Sequence, residues 1–262
     1  MSLDPLHEWV ARIAFDLPQA RNVAIAGGNA MLAHHLVVRP TQDLDLFTPV
    51  ASEVDPLVAA LAQALRTQGA QVEVDRRGPG FSRLTVETVD GRQVAVEIAH
   101  DARLRESVQL DFGRVLHPEE VAADKVLALF GRAAARDLVD VAALADRYPL
   151  QQLCALAEEK DAGFDPRLLA VAMSAAAEHP NDAFAELGLS EEATKRLRSK
   201  AHEWRAALLA ANTEDSTRPR PAATRRPPRP AAPPPPTRPR RPEDDLQRPP
   251  IDPGHEGPGL SR

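Results

Sequence analysis

Fifteen of the chain's 25 prolines lie beyond Asn212, so the last 50 of its 262 residues are a different material from the rest. Proline fixes φ and removes a backbone donor. A segment so rich in it and so poor in large apolar side chains cannot bury enough surface to offset its ordering entropy. Residues 213–262 are therefore expected to form a disordered, extended tail. They carry ten Arg, no Lys and seven acids, a net charge of +3, which leaves −9 of the formal −6 on the first 212 residues. Those 212 residues have to supply the fold, enough for one core or two small ones.

The single cysteine, Cys154, excludes an intramolecular disulfide framework and any cysteine metal cluster, which suits a reducing compartment. It sits in the apolar pattern of Leu150, Leu153, Leu156 and Ala157 and reads as a core residue. No run approaches the roughly 18–20 consecutive apolar residues of a membrane span. The start, Met1-Ser2-Leu3-Asp4, lacks the basic region and apolar run of a signal peptide. The expectation is a cytoplasmic chain with no membrane partner.

Periodicity supplies the elements. Asp4-Pro5 can cap a helix whose apolar stripe is Leu6, Trp9, Val10, Ile13 and Leu17. Val23 to Ala26 reads as a short buried strand ended by Gly27-Gly28, with a helix following from Asn29 to about Leu36. In Asp43-Leu44-Asp45-Leu46-Phe47 the alternation puts both carboxylates on one strand face and the leucines on the other. A helix carries Leu57, Val58, Leu61 and Leu65 and ends at Gly69, and two or three strands come next. Asp90-Gly91 reads as a two-residue hairpin turn, leading into Val94, Val96 and Ile98 on one face with Glu97 on the other. From Pro118 the pattern is helical, with candidate helices over 118–130, 133–146, 150–160, 166–178 and 190–211. The fold class is α+β: an α/β core with a small mixed sheet and flanking helices over 1–116, a helical region over 117–212, and the tail over 213–262.

Two like charges on one strand face, about 7 Å apart at ~3.3 Å per residue, repel unless a cation sits between them. A hard divalent cation such as Mg²⁺ takes carboxylate oxygens and keeps room for substrate phosphates. Gly27-Gly28 opens a helix whose first N–H groups can hold an anion near the same carboxylates. Each part also has a plain reading, a solvated strand end and a simple turn. His34 and His35, about 100° apart on a helix, do not face one ion and read as helix-surface and core-edge residues.

The stretch Ala26-Gly27-Gly28-Asn29-Ala30, continuing through Arg39-Pro40-Thr41-Gln42-Asp43-Leu44-Asp45-Leu46-Phe47, resembles the first motif of the AbiEii/AbiGii family of nucleotidyltransferase-like toxins. That family belongs to the polymerase-beta nucleotidyltransferase superfamily, whose pattern is a Gly-Gly or Gly-Ser turn followed by Asp-x-Asp. A second block, Ala122 to Leu129 with Lys125 and then Arg132 to Asp140 with Arg136-Asp137-Leu138-Val139-Asp140, is similar to the family's helical Lys followed by Arg-Asp-x-x-Asp. The resemblance covers about residues 20 to 145. It implies that Asp43 and Asp45 bind Mg²⁺, that Gly27 and Gly28 cradle a triphosphate, and that Lys125 and Asp137 complete the catalytic set, with Lys125 facing phosphate. Arg39 and Thr41 would contact phosphate or fix the loop. Glu97 matches the third metal carboxylate that the superfamily often uses, although a solvated strand Glu looks the same.

The implied reaction is transfer of a nucleotide from an NTP to an acceptor, tRNA in characterised members, by a toxin held off by an antitoxin protein. Two other readings stay open: nucleotidyl transfer to a small molecule such as an antibiotic, and a catalytically silent binding or regulatory module. A grip on tRNA calls for a basic footprint, which the net charge of −9 does not supply. The local candidates are Arg103, Arg105, Arg114, Arg132 and Arg136, together with a tail that holds eight Arg and no acid between Arg218 and Arg241.

Overall fold

The computed structural model describes residues 3–37 and 41–215. Helix α1 (Pro5–Phe15) opens as the sequence predicts, with Asp4 accepting from the Leu6 N–H at 2.8 Å and Pro5 in the first turn. Strand β1 (Ala24–Ile25), helix α2 (Gly27–Ala33) and strand β2 (Asp43–Thr48) follow, then helix α3 (Val54–Thr67) and three strands, β3 (Gln71–Gly78), β4 (Phe81–Glu87) and β5 (Gln93–His100). Two short strands that the sequence pattern did not announce, β6 (Val108–Leu110) and β7 (Gly113–Val115), precede the helical part. That part is built of α4 (Pro118–Arg132), α5 (Ala135–Leu144), α6 (Leu150–Lys160), α7 (Pro166–Ala177), α8 (Asn181–Ala185) and α9 (Glu191–Asp215). At five residues, α8 is too short to show a helical period. Of the expected tail, residues 216–262 lie outside the described residues.

The strands form one mixed sheet in the order β3-β4-β5-β2-β1-β7-β6. The β2–β5 and β1–β7 pairs are parallel; β1–β2, β3–β4, β4–β5 and β6–β7 are antiparallel. Leu44, Leu46, Leu84, Val86, Val96 and Ile98 are fully buried on one face, and α3 packs against β3, β4 and β5. The buried core is continuous from α1 to α9. Cys154 belongs to it, and burial pushes its thiol up to about 11, so the core reading holds and a thiolate is disfavoured.

The β4–β5 turn corrects the expectation of a two-residue hairpin. The last ladder pair is Glu87 with Gln93, the Thr88 N–H donates to the Arg92 carbonyl at 2.9 Å, and the Gly91 N–H turns back to the Thr88 carbonyl at 2.9 Å. The loop is therefore Val89-Asp90-Gly91, with Gly91 in the left-handed region at φ +80°. The physical reason is face matching. Leu84 has to lie opposite Val96 and Val86 opposite Val94, and a loop one residue shorter would pair each buried residue with a solvent-facing one.

The histidine reading changes too. Helix α2 ends at Ala33, so His34 and His35 lie beyond it. The His34 Nε2 lies 2.7 Å from the Leu116 carbonyl, its pKa lowered by burial, and His35 takes a positive φ of 57°.

A Cβ at Gly91 meets nothing within 4 Å, so Gly91→Ala isolates backbone strain from packing. It is expected to cost about 1–2 kcal/mol of stability, read as a lower urea midpoint with an unchanged slope.

Candidate active site

Antiparallel pairing of β1 with β2 sets Ala24 beside Phe47 and Ile25 beside Leu46, and the Ala26 N–H donates to the Asp45 carbonyl at 2.9 Å. The turn after β1 is thereby pressed against the acidic strand. Gly27 has φ +58°, and a Cβ there would stand 1.7 Å from the Asp45 Oδ2. At Gly28 a Cβ would stand 2.4 Å from the Thr41 Cγ2. Only a residue without a side chain lets the start of α2 come this close. No side chain caps that helix start among the described residues.

Asn29 pins the same junction from inside. It is fully buried; its Nδ2 donates to the Asp43 carbonyl at 2.7 Å, and its Oδ1 accepts from the Thr41 Oγ1 at 3.0 Å. The His7 Nδ1 lies 3.2 Å from that Oδ1. Thr41 thus fixes the loop as it enters β2, and it also lines the cavity described below. Arg39, the other expected phosphate contact, lies outside the described residues.

Strand register assembles the charges. Parallel pairing puts Asp45 opposite Glu97, and antiparallel pairing puts Arg83 opposite Glu97 on its other side, so all three share one face with Asp43. The Arg83 guanidinium binds the Glu97 carboxylate and reaches the Asp43 Oδ1 at 3.3 Å, while the Arg136 Nη1 stands 3.9 Å from the Asp43 Oδ2. Burial raises the Asp45 carboxyl to about 6; Lys125 pulls it down, and Glu97 and Asp43 push it further up.

Helices α4 and α5 face this strand. Lys125 is buried, and its Nζ meets the Asp140 Oδ2 at 2.8 Å. Asp137 is fully buried and takes the Arg132 guanidinium in a two-pronged contact, 2.7 Å from Nε and 2.7 Å from Nη2. Lys125 thus pairs with Asp140, and Asp137, the other residue expected to complete the catalytic set, pairs with Arg132. Asp137 is not among the residues that line the cavity; it holds Arg132, which is.

The cavity measures about 570 Å³, and Gly27, Gly28, Asp43, Asp45, Glu97 and Lys125 all line it. Arg83, Arg132 and Arg136 contribute the rest of its positive charge, and Glu186, Leu187 and Gly188, between α8 and α9, also line it. Of the five arginines considered as a local patch, three are tied into the fold. Arg103 donates to the Asn22 and Phe47 carbonyls, Arg114 to those of Ala20 and Val23, and Arg105 pairs with Glu119 and Glu159.

Sequence had not pointed to Asn29, Arg83 or the α8–α9 segment. Arg83 had a usable signal: the alternation in β4 and β5, matched face to face, places it opposite Glu97. A second carboxylate trio, Asp101, Glu120 and Asp124, has oxygens within 4.8 Å of one another, close enough to hold a metal ion. Lys160 projects its ammonium among them.

The sequence profile of the family described as nucleotidyl transferase AbiEii toxin, type IV toxin–antitoxin system, matches residues 11–227. No curated protein matches the chain. Among solved structures, the chain is similar to JHP933 from Helicobacter pylori, with 18% identity over 82% of this chain and 98% of that one and a TM-score of 0.48. It is also similar to MenT4, a nucleotidyltransferase toxin from Mycobacterium tuberculosis, with 19% identity over 79% of this chain and 92% of that one and a TM-score of 0.48.

Asp45→Asn is expected to raise the melting temperature of the metal-free protein by a few degrees at pH 7.5. The folded-state pKa of Asp45 stands above its ordinary 3.8, so the cost of its charge is absent below that value and complete above about 6. The same substitution should therefore change little at pH 4, and thermal melts at the two pH values check the sign. Gly27→Ala, whose Cβ overlaps the Asp45 carboxylate at a positive φ, is expected to lower the melting temperature while keeping its circular dichroism spectrum.

Proposed function

The chain belongs to the AbiEii family of nucleotidyl transferase toxins, and on that premise we propose that it transfers a nucleotide from an NTP to an acceptor hydroxyl on tRNA, with Mg²⁺, in the cavity between β2, β5 and α4. The observation that carries this reading is the meeting of Asp43, Asp45, Glu97 and Lys125 around one cavity with the Gly27 turn against Asp45. A family of type IV toxins further suggests an antitoxin protein as partner.

The donor set fits the metal. Three carboxylates on one sheet face offer hard oxygen ligands, and burial of Asp45 leaves charge there that a divalent cation would neutralise. Asp43 and Asp45, with Glu97, would hold it. When bound, such an ion offsets triphosphate charge and polarises the phosphoryl oxygens. Arg83 now binds two of these carboxylates and would have to release them, which frees a guanidinium for phosphate.

The chain's own groups do the rest. The bare backbone at Gly27 and Gly28 admits the triphosphate, and Lys125 presents a point charge to the departing pyrophosphate. Arg132 and Arg136 add guanidinium groups at the cavity's edge. In the transfer the acceptor oxygen bonds to the α-phosphorus, the bond from that phosphorus to the bridging oxygen breaks, and pyrophosphate leaves with the electron pair. The hydroxyl proton passes to a neighbouring carboxylate or water.

Transfer to a small cationic acceptor is the second reading. It is favoured by the acidity of the first 212 residues, net −9, and by Glu186 in the cavity wall. Against a silent module stands the lining of a single cavity by all four groups.

Purified protein incubated with each labelled NTP and total tRNA is expected to place label in RNA, to lose that activity in EDTA, and to regain it with Mg²⁺. Label found only in small acceptors would select the second reading. No label anywhere, with equal growth on expressing wild type and Asp45→Asn, would leave the silent module. Added Mg²⁺ should also raise the melting temperature more at pH 7.5 than at pH 5.5, because Asp45 has to give up its proton to bind it.

A further inference from the structure

Glu120 and Asp124 are four residues apart on α4, so two like charges share one helix face, a pairing that costs stability unless a cation answers it. The cation comes from the last residue of α6. The Lys160 side chain is 3% exposed, and its Nζ stands 2.7 Å from the Glu120 Oε1, 2.5 Å from the Asp101 Oδ2, and in contact with the Asp124 Oδ1. The ammonium donates to Asp101 and stands in ion-pair contact with Glu120 and Asp124. Burial works against the charge on Lys160, but Asp124 and Asp101 outweigh it and hold the amine protonated above its usual range. The site that the acidic trio offers a metal is filled by this group.

The connections on the far side of each carboxylate give the cluster its direction. Asp101 follows the end of β5, the strand of Glu97, and its N–H donates at 2.9 Å to the carbonyl of Thr48, the last residue of β2, the strand of Asp43 and Asp45. The other oxygen of Glu120 accepts from the Leu104 and Arg105 N–H groups, both at 2.9 Å, and so fixes the loop that leaves β5. Asp124 is the residue before Lys125 and lines the catalytic cavity with it. One ammonium therefore joins the helix that carries Lys125 to the ends of the two strands that carry the carboxylates.

We propose that Lys160 is a positioning residue for Lys125: by tying α4 to the ends of β2 and β5 it sets the reach of the Lys125 amine across the cavity. The inference rests on the nucleotidyl-transfer reading for its consequence in rate, and on geometry alone for the placement of Lys125. Removing the Lys160 charge strands three carboxylates, so Lys160→Met is paired with Asp101→Asn, which cuts a single tie at a part-exposed position and leaves the ammonium in place.

Incorporation kinetics on both variants are expected to show kcat lower by roughly 10–100-fold, with the KM for NTP within about threefold and partial recovery in Lys160→Arg. Combined with Lys125→Met, either variant should add almost nothing to the loss from Lys125→Met alone, since all act through one amine. Multiplying losses in the double variants, or unchanged kcat beside a lowered melting temperature, would overturn the proposal and leave Lys160 a clamp for the fold alone. If wild-type protein incorporates no nucleotide, it is the nucleotidyl-transfer reading that falls. The ¹⁵N resonance of the Lys125 ammonium in Asp101→Asn then decides: a shifted or broadened signal supports the placement, and an unchanged one overturns it.

Discussion

Three carboxylates on one face of a sheet repel one another, and most of the polar architecture answers that repulsion. Asp43, Asp45 and Glu97 are brought together by strand pairing alone, since the β2–β5 register leaves Asp45 and Glu97 side by side. Asp45 is the one most withdrawn from water, and it shows the cost in its raised pKa. The cations that answer them come from three different elements: Arg83 from β4, Lys125 from α4 and Arg136 from α5. The sheet thus fixes the acids, and the fold around it delivers positive charge from several directions.

The same logic recurs one layer out. Asp137 and Asp140 are buried on α5 and each meets a cation that also reaches the cavity, Arg132 and Lys125 respectively. The acids of the Arg-Asp-x-x-Asp segment therefore hold cations that line the cavity, and neither is itself among the lining residues. Behind α4, Lys160 serves three more carboxylates. Asp137, Asp140, Glu120 and Asp124 each meet a specific cation, as the expense of an unpaired buried charge demands.

Much of this was legible in the sequence because it depends on local spacing. Alternation in Asp43–Phe47 put the two aspartates on one face, Gly27-Gly28 marked the tight turn, and the starts of α1, α4 and α7 coincide with Pro at the first helical position. What stayed hidden depends on contacts between distant segments. Nothing in the spacing of Lys125, Asp137 and Asp140 says which acid the lysine chooses. Arg83 could be placed beside Glu97 only by matching the buried faces of β4 and β5, which the expected two-residue turn does not do. Asn29 reads as a helix-start polar residue, yet it is fully buried and hydrogen-bonded to Asp43 and Thr41. Strands β6 and β7 are three residues each, too short for a period of two to be distinguished from chance.

The three-residue turn between β4 and β5 has a consequence for how such a chain can change over time. Since successive strand residues face opposite ways, the β4–β5 register decides whether Arg83 lies beside Glu97 or a neutral neighbour does. Gain or loss of one residue at this tip can be absorbed by the loop, since hairpin loops of other lengths close the same ladder, whereas a residue gained or lost inside β4 would turn Arg83 or its partners to the opposite face. Divergence in length is therefore tolerable at the tip and costly within the strands it joins.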